Sequence, residues 1–564
     1  MGRDYTTFRA RRAPHGLFRG ATMLLPLAAV LVFASFPAVS RAAEMPSDQK
    51  ILHVLNRLTY GPAPGDVERV RDMGVAAFIA EQLEPDAIPQ SKELSARLEA
   101  LPTTRLGTVE LFREYGPTPD KSGGLGPSQV LAARDRAGIV FREAADARLM
   151  RAVADPAQLR ELLVDFWYNH FNVDAGKGLA RLWAGAYERE AIRPYVLGRF
   201  LDLLAATAMH PAMLIALENW RNVAPRGEAA APPSAEPAAP GPQNGEDRPD
   251  ETPGPAETDA QGIDTTYAAT LLAAHTLGDA TAFSAADVAA LARVFTGWRI
   301  GAPRSETDKN GFVFDQKAHD PTDKAFLGAT IQGGGMAEGA AALRFLAEHP
   351  ATAGHVCRRL AAYFLAGAPS PELVKRLSAV FLQSGGEIRA VLAALFSDAE
   401  FFDEKRYMAG FKPPLRHVVS AIRATGAMPD DPTPLAGVLG RMEMPLYHCP
   451  DPAGYALAPA GAPTARDMAA RVSFAADLAS GRLPLWAELP KGLAPQSLLA
   501  ALGRAQASQA SQAAQAGETP GAKASGKAKS AGKRAEQAAA SATGRNEAAN
   551  DAAIILSGPD FVRY

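Results

Sequence analysis

The sequence predicts a mainly α-helical protein: one large multi-helix globular domain with at most one small β-hairpin, plus two disordered insertions. Three observations carry this. Apolar residues recur at helical spacing in segment after segment. Strand-like runs are confined to 312–315 and 324–335, with no strand–helix alternation of the kind that builds a doubly wound sheet. Residues 223–260 and 505–548 hold too few large apolar side chains to join a core. Elsewhere the hydrophobic content, 47% of the chain, is ample for one, and a formal charge of -2 in 564 residues gives no field that would gather nucleic acid.

The elements follow in chain order. Arg3, Arg9, Arg11, Arg12 and Arg19 precede the uncharged run ATMLLPLAAVLVFASFPAV, and small residues offer cleavage after Ser40 or Ala42. A basic region, an apolar run and a small-residue exit describe a secretory signal peptide over 1–42. The run approaches the ~20 residues of a membrane anchor, but Pro26, Pro37 and the small-residue exit favour cleavage. The expected mature chain is periplasmic or extracellular, with no further stretch long and apolar enough to span a membrane.

Residues 47–222 read as the N-terminal helical part. QKILHVLNRLTYG follows a Ser47-Asp48 cap, PGDVERVRDMG stops at Gly74, and DPAQLRELLVDFWYNHF starts from Asp155 with Pro156 in its first turn. A Pro/Ala-rich linker (223–260) leads to a C-terminal helical part over 261–504. There Ser284 and Asp287 stand at capping-box spacing, FVFD and KAFLGATIQGGG suggest the one hairpin, and Gly385-Gly386 separates two amphipathic helices. The Ala/Ser/Lys run 505–548, whose basic stretch 523–534 reads as solvated linker, precedes a final helix over 549–564. AAIILSGPDFVRY echoes ALFSDAEFFDEKR (394–406), so this last helix is expected to pack back on the domain.

Candidate chemistry gathers around FWYNHFNVDAGKG (166–178). On a helix, Leu159, Leu162, Leu163, Phe166, Trp167 and His170 share one apolar face, while Asp165, Asn169 and Asn172 share a polar one. His275 lies similarly beside Tyr267, Leu271 and Ala274, and His319-Asp320 sits in a turn-like KAHDPTDK. A buried imidazole must bond its N–H or coordinate something. His170, His275 and His319, with Asp165 or Asp320, can assemble a metal site. Their spacing gives no support: there is no His-x-x-x-His pair, no cysteine pair and no acid-rich loop. The expectation is no metal and no cofactor, with a divalent metal on the three histidines as the alternative. Gly-x-Ser-x-Gly and Walker signatures are absent. Arg358, Arg359 and Lys412 stand beside helix ends, where a solvated or dipole-complementing role suffices. With 2 cysteines a disulfide framework is excluded; Cys357 and Cys449 either pair or are small buried side chains.

The pieces HVLNRLTYGPAPGDVERV (53–70), LRELLVDFWYNHFNV (159–173), HPAMLIALEN (210–219), YAATLLAAHTLG (267–278), DVAALARVFTGW (287–298), FVFDQKAHDPTDKAFLG (312–328), HPATAGHVCRRLAAYF (349–364) and KPPLRHVVSAIRATGA (412–427) stand in an order that resembles a bacterial family, domain of unknown function 1800. The resemblance implies an exported, mostly helical protein of no established activity. Members are often encoded beside a second exported family with a sulfatase-like fold. The family's charged run before its His-Thr-Leu-Gly is neutralised here to DTTYAATLLAAHTLG, Tyr168 replaces a usual histidine, and Gly454-Tyr455 replaces a usual Gly-Trp. Retained folding residues without the charged face imply a non-catalytic binding or scaffolding protein of the cell envelope. Its expected partner is an exported sulfatase-like protein or an envelope glycan, not nucleic acid. The alternative is a metal-assisted hydrolase acting on envelope or extracellular polymers.

Overall fold

The segment Gln158–His170 forms a helix buried nearly all round: Leu159, Leu162, Leu163, Phe166, Trp167 and His170 are each 0% exposed. A helix buried on most sides belongs in the middle of a large core, and the rest of the chain is arranged about it. In the computed structural model the described residues are 45, 47–118, 126–224, 263–301, 310–457, 463–487, 542–558 and 561–564. The expected signal peptide, nearly all of the Pro/Ala-rich linker and most of the 505–548 run lie outside them. Ala43–Tyr564 is one compact unit, so the two helical parts share a single core.

The mainly helical class holds: twenty α-helices stand against two small two-stranded sheets among the described residues. The central helix touches Pro127–Ala154 (itself 28 residues), Ser47–Leu58 and Val75–Gln82. It begins two residues beyond the expected Pro156. Asp155 closes the preceding helix instead, and its Oδ1 accepts the Ala157 N–H at 2.9 Å to hold the turn. Gln158, buried at the new start, donates to the carbonyls of Ala152 and Asp155 and accepts from Tyr60 N–H. The capping box at Ser284 forms as its spacing requires, with Ser284 N–H donating to Asp287 Oδ2 at 2.8 Å and Asp287 N–H to Ser284 Oγ at 3.2 Å.

The strands depart from expectation. FVF and the 324–331 run do not belong to one hairpin. Strand β1 (Trp298–Ile300) pairs antiparallel with β2 (Phe312–Phe314), and β3 (Lys324–Phe326) with β4 (Ala329–Ile331). The missed strand, β1, follows directly on a helix, and three residues show no period of two. At the far end, helix Ala542–Ser557 packs along Ala465–Ala479 and buries Ala552 and Leu556. It takes in residues 542–548, which composition had placed in the low-complexity run; alanine-rich sequence is also the best helix former. The last residues then pair with 410–412, where Lys412 N–H donates to Val562 O at 2.7 Å. No helix among the described residues is long and apolar enough to cross a membrane.

Candidate functional site

The C-terminal half of the central helix forms one wall of a cleft of about 650 Å3, counting space open to solvent, lined by Arg148, Asp165, Tyr168, Asn169, Asn172, Tyr363 and Tyr455 together with Leu415, Met444 and Leu457. Arg148 is its electrostatic centre. Nη2 lies 2.6 Å from Asp165 and Nη1 3.4 Å from Glu188, while the guanidinium stands over the rings of Tyr168 and Tyr447, at 5.3 and 5.0 Å. Glu188 also bonds Arg193 at 2.9 Å and accepts from the Tyr447 hydroxyl at 2.7 Å. Burial alone would raise this carboxyl; Arg148 and Arg193 outweigh it and hold Glu188 below the usual glutamate range. Glu188 opens a π-helical turn, Glu188–Ile192, of the kind that often re-aims side chains at working sites. Asp165 is the partly exposed carboxylate, 29% accessible, with the Tyr363 hydroxyl 3.4 Å from its free oxygen.

The two asparagines of the polar face reach the cleft but are already engaged. Asn172 donates both to Cys449 O and to Asp451 O at 2.8 Å. Asn169 donates to Tyr455 O at 2.8 Å and accepts from Tyr455 N–H at 2.7 Å, as a strand neighbour would. Together they hold the 449–455 loop against the central helix. Gly454 makes the seat possible: its φ is +79°, and a Cβ there would stand 1.9 Å from Asn169 O. Replacing Asn172 by alanine takes the side-chain donor from the Cys449 carbonyl, while Asp451 O keeps the Gly454 N–H at 2.9 Å, and is expected to cost about 1–3 kcal/mol. Alkylation of Cys449 should quicken while buried Cys357, also unpaired, stays protected. Equal labelling rates at Cys449 in variant and wild type would show that Asn172 does not hold the loop.

His170 and His275 do come together. The His170 Nε2 donates to His275 O at 3.0 Å, and the ring centroids are 6.0 Å apart. Sequence reasoning missed a third imidazole, His355, whose Nε2 donates to Ala274 O at 3.0 Å and whose centroid lies 5.8 Å from that of His170. The cause is local: Leu271–His275 is a π-helical turn whose final carbonyls have no helical donor, and two imidazoles supply one. Burial first, then the nearby Arg359, depresses all of them, with neighbouring imidazoles adding at His170 and His275 and Arg358 at His355; His275 falls to about 3 and His355 to about 4. His170 Nδ1 and His275 Nε2 are left without a partner. Arg359, expected in solvent, is turned inward toward Ala453 O at 3.4 Å.

His319 and Asp320 belong to another place. His319 donates through Nδ1 to Thr296 O at 2.9 Å, and its Nε2 meets Glu338 at 2.8 Å; Lys324 closes on Glu338 from the other side. Asp320 pairs with Arg293 at 2.7 Å, which with Thr322 outweighs burial and pulls its carboxyl far down. Both His319 nitrogens are committed, so the three histidines form no single ligand set. Among the described residues no group of three His, Cys, Asp or Glu is arranged to hold a metal. Thr265 and Ala273, neutral within the run 264–278, are exposed and are not part of the cleft lining.

The family model described as Protein of unknown function (DUF1800) matches residues 53–563. No curated protein and no solved structure matches the chain.

Proposed function

We propose, for a chain that belongs to the DUF1800 family of proteins of unknown function, that it is an exported, non-catalytic binding protein of the cell envelope whose cleft takes a glycan. The observation that carries this reading is the cleft lining: the half-buried ring of Tyr455, with the buried rings of Tyr168 and Tyr363 in the same wall, beside one partly exposed carboxylate, Asp165. A sugar offers an apolar C–H face and a rim of hydroxyls. Tyrosine rings with polar tips and a carboxylate acceptor complement both. Catalysis asks for something else, an acid or base with a pKa moved toward neutrality at the reacting position. Glu188 moves the opposite way and sits behind Tyr447, and Asp165 is ion-paired.

The test is calorimetric titration of residues 43–564 with soluble oligosaccharide fragments of the bacterial envelope. Saturable binding is expected, weakened at least tenfold in Tyr455→Ala. That change leaves the backbone bonds to Asn169 in place. Binding by no fragment, or equal binding by the variant, would sink the glycan reading. The second reading, metal-assisted hydrolysis, draws on the unpartnered Nδ1 of His170 and Nε2 of His275. Elemental analysis of the same preparation decides it: about one equivalent of a transition metal, lost in His275→Ala, would replace the non-catalytic reading.

A further inference from the structure

Away from the cleft mouth, five basic side chains meet between helices Ser47–Leu58, Pro414–Ala424 and Ala465–Ala479 and the terminal residues 561–564. Arg57, Lys412, Arg416, His417 and Arg471 are each no more than 4% exposed, which overturns the expectation of a solvated Lys412. Among the described residues one carboxylate bonds to the group, Asp467 on Arg471 at 3.0 Å. The rest rely on neutral partners. Arg57 donates to Arg406 O, and Lys412 to Ser420 Oγ at 2.9 Å. The guanidiniums of Arg57 and Arg416 stand 4.6 and 4.3 Å from the centre of the Tyr564 ring, and Lys412 Nζ 4.2 Å from that of Phe561.

These partners do not close the account. Seven buried donor or ring atoms have no hydrogen-bond partner: Arg57 Nε and Nη1, Arg416 Nη1 and Nη2, Arg471 Nη1, and both nitrogens of His417. A ring face returns to a cation only a part of what its removal from water costs. Water can satisfy donors but carries no counter-charge. Burial, with Arg416 and Arg471 alongside, drives the Lys412 ammonium down to about 7, the behaviour of a cation that lacks an anion; Arg416, though buried, is held the other way near Tyr363, Tyr564, Tyr60 and the more distant Asp165.

We infer that this cluster of buried cations holds a tetrahedral oxyanion, of the phosphate or sulfate class, on the unpartnered guanidinium donors of Arg416 and Arg57. Guanidinium forks match such oxyanions in shape and charge, and these two present four of the seven unpartnered atoms. The inference is independent of what the cleft binds. An anion enclosed this way would survive desalting.

The experiment has two arms on the mature chain. Ion chromatography of desalted, then denatured protein should release about one equivalent of phosphate or sulfate. After refolding in chloride, the thermal midpoint should climb roughly 2 °C per tenfold rise in added phosphate or sulfate at constant ionic strength. Acetate should not reproduce the climb, and Arg416→Met or Arg57→Met should remove it. No released oxyanion together with equal midpoints in phosphate, sulfate and chloride would overturn the inference. A response to acetate alone would overturn the tetrahedral class, and an undiminished response in both variants would overturn the assigned residues. If neither variant folds, the wild-type arms still decide.

Discussion

Replacing Glu338 by alanine is expected to remove about 3–5 kcal/mol of stability, read as a lowered midpoint in urea. The side chains of Glu338 and Lys324 are both 0% exposed and lie 2.5 Å apart, so the substitution leaves an ammonium buried without its counter-charge. The same carboxylate accepts the N–H groups of Gly334 and Gly335 and meets His319, so a helix start and an imidazole lose their partner together. Adding Lys324→Met should recover a large part of the loss, because an apolar side chain needs no counter-ion. A cost below about 1 kcal/mol would mean that Glu338 does not anchor this corner. His319 would then return as a candidate ligand.

Stability should also fall steeply on mild acidification. Six histidines are held neutral by burial: His53 and His275 at about 3, His355 at about 4, and His170, His210 and His417 also below their ordinary value. In the unfolded chain each titrates near 6.5. Above that pH neither state binds the proton, and the full stability is present. Below it the unfolded chain takes up protons that the fold refuses, and stability drains away, for His53, His275 and His355 until their folded values near 3–4 are reached. Each such group contributes up to about 1.4 kcal/mol per pH unit through that window. Carboxylates held low, such as Glu188 and Asp320, act in the same direction but only below their own unfolded values near 4. Urea unfolding at pH 7.5, 6.5 and 5.5 separates the two sets. A midpoint unchanged from 7.5 to 5.5 would show that the histidines are not kept neutral.

The legible parts of this protein are those that local spacing controls. The apolar stripe from Leu159 to His170 is the buried face of the central helix, and Asp165, Asn169 and Asn172 do share the edge that reaches the cleft. Ser284 and Asp287 cap as their separation demands. What was hidden depends on chain that is distant in sequence. Arg148, Tyr363 and Tyr455 reach the cleft from three other segments. A π-helical turn adds one residue per turn, which no apolar period reveals, and it is this turn that draws His355 beside His170. Lys412 read as solvated because its cover, Phe561 and Val562, lies at the other end of the chain.

One bond bears on how this chain can vary. Asn222 Oδ1 accepts the Asp264 N–H at 3.2 Å, so the two borders of the segment between them are fastened to a single side chain. The entropy of closing a chain segment between two fixed points grows only with the logarithm of its length, about 0.6 kcal/mol for each doubling. With its anchor points fixed, the fold is nearly blind to how many residues run between them. Length and composition there can drift with little selection from stability, whereas Asn222, which also donates to Ala292 O at 3.0 Å, cannot. Descendants of this sequence should therefore differ most in size where they differ least in energy, and keep the knot that makes the difference cheap.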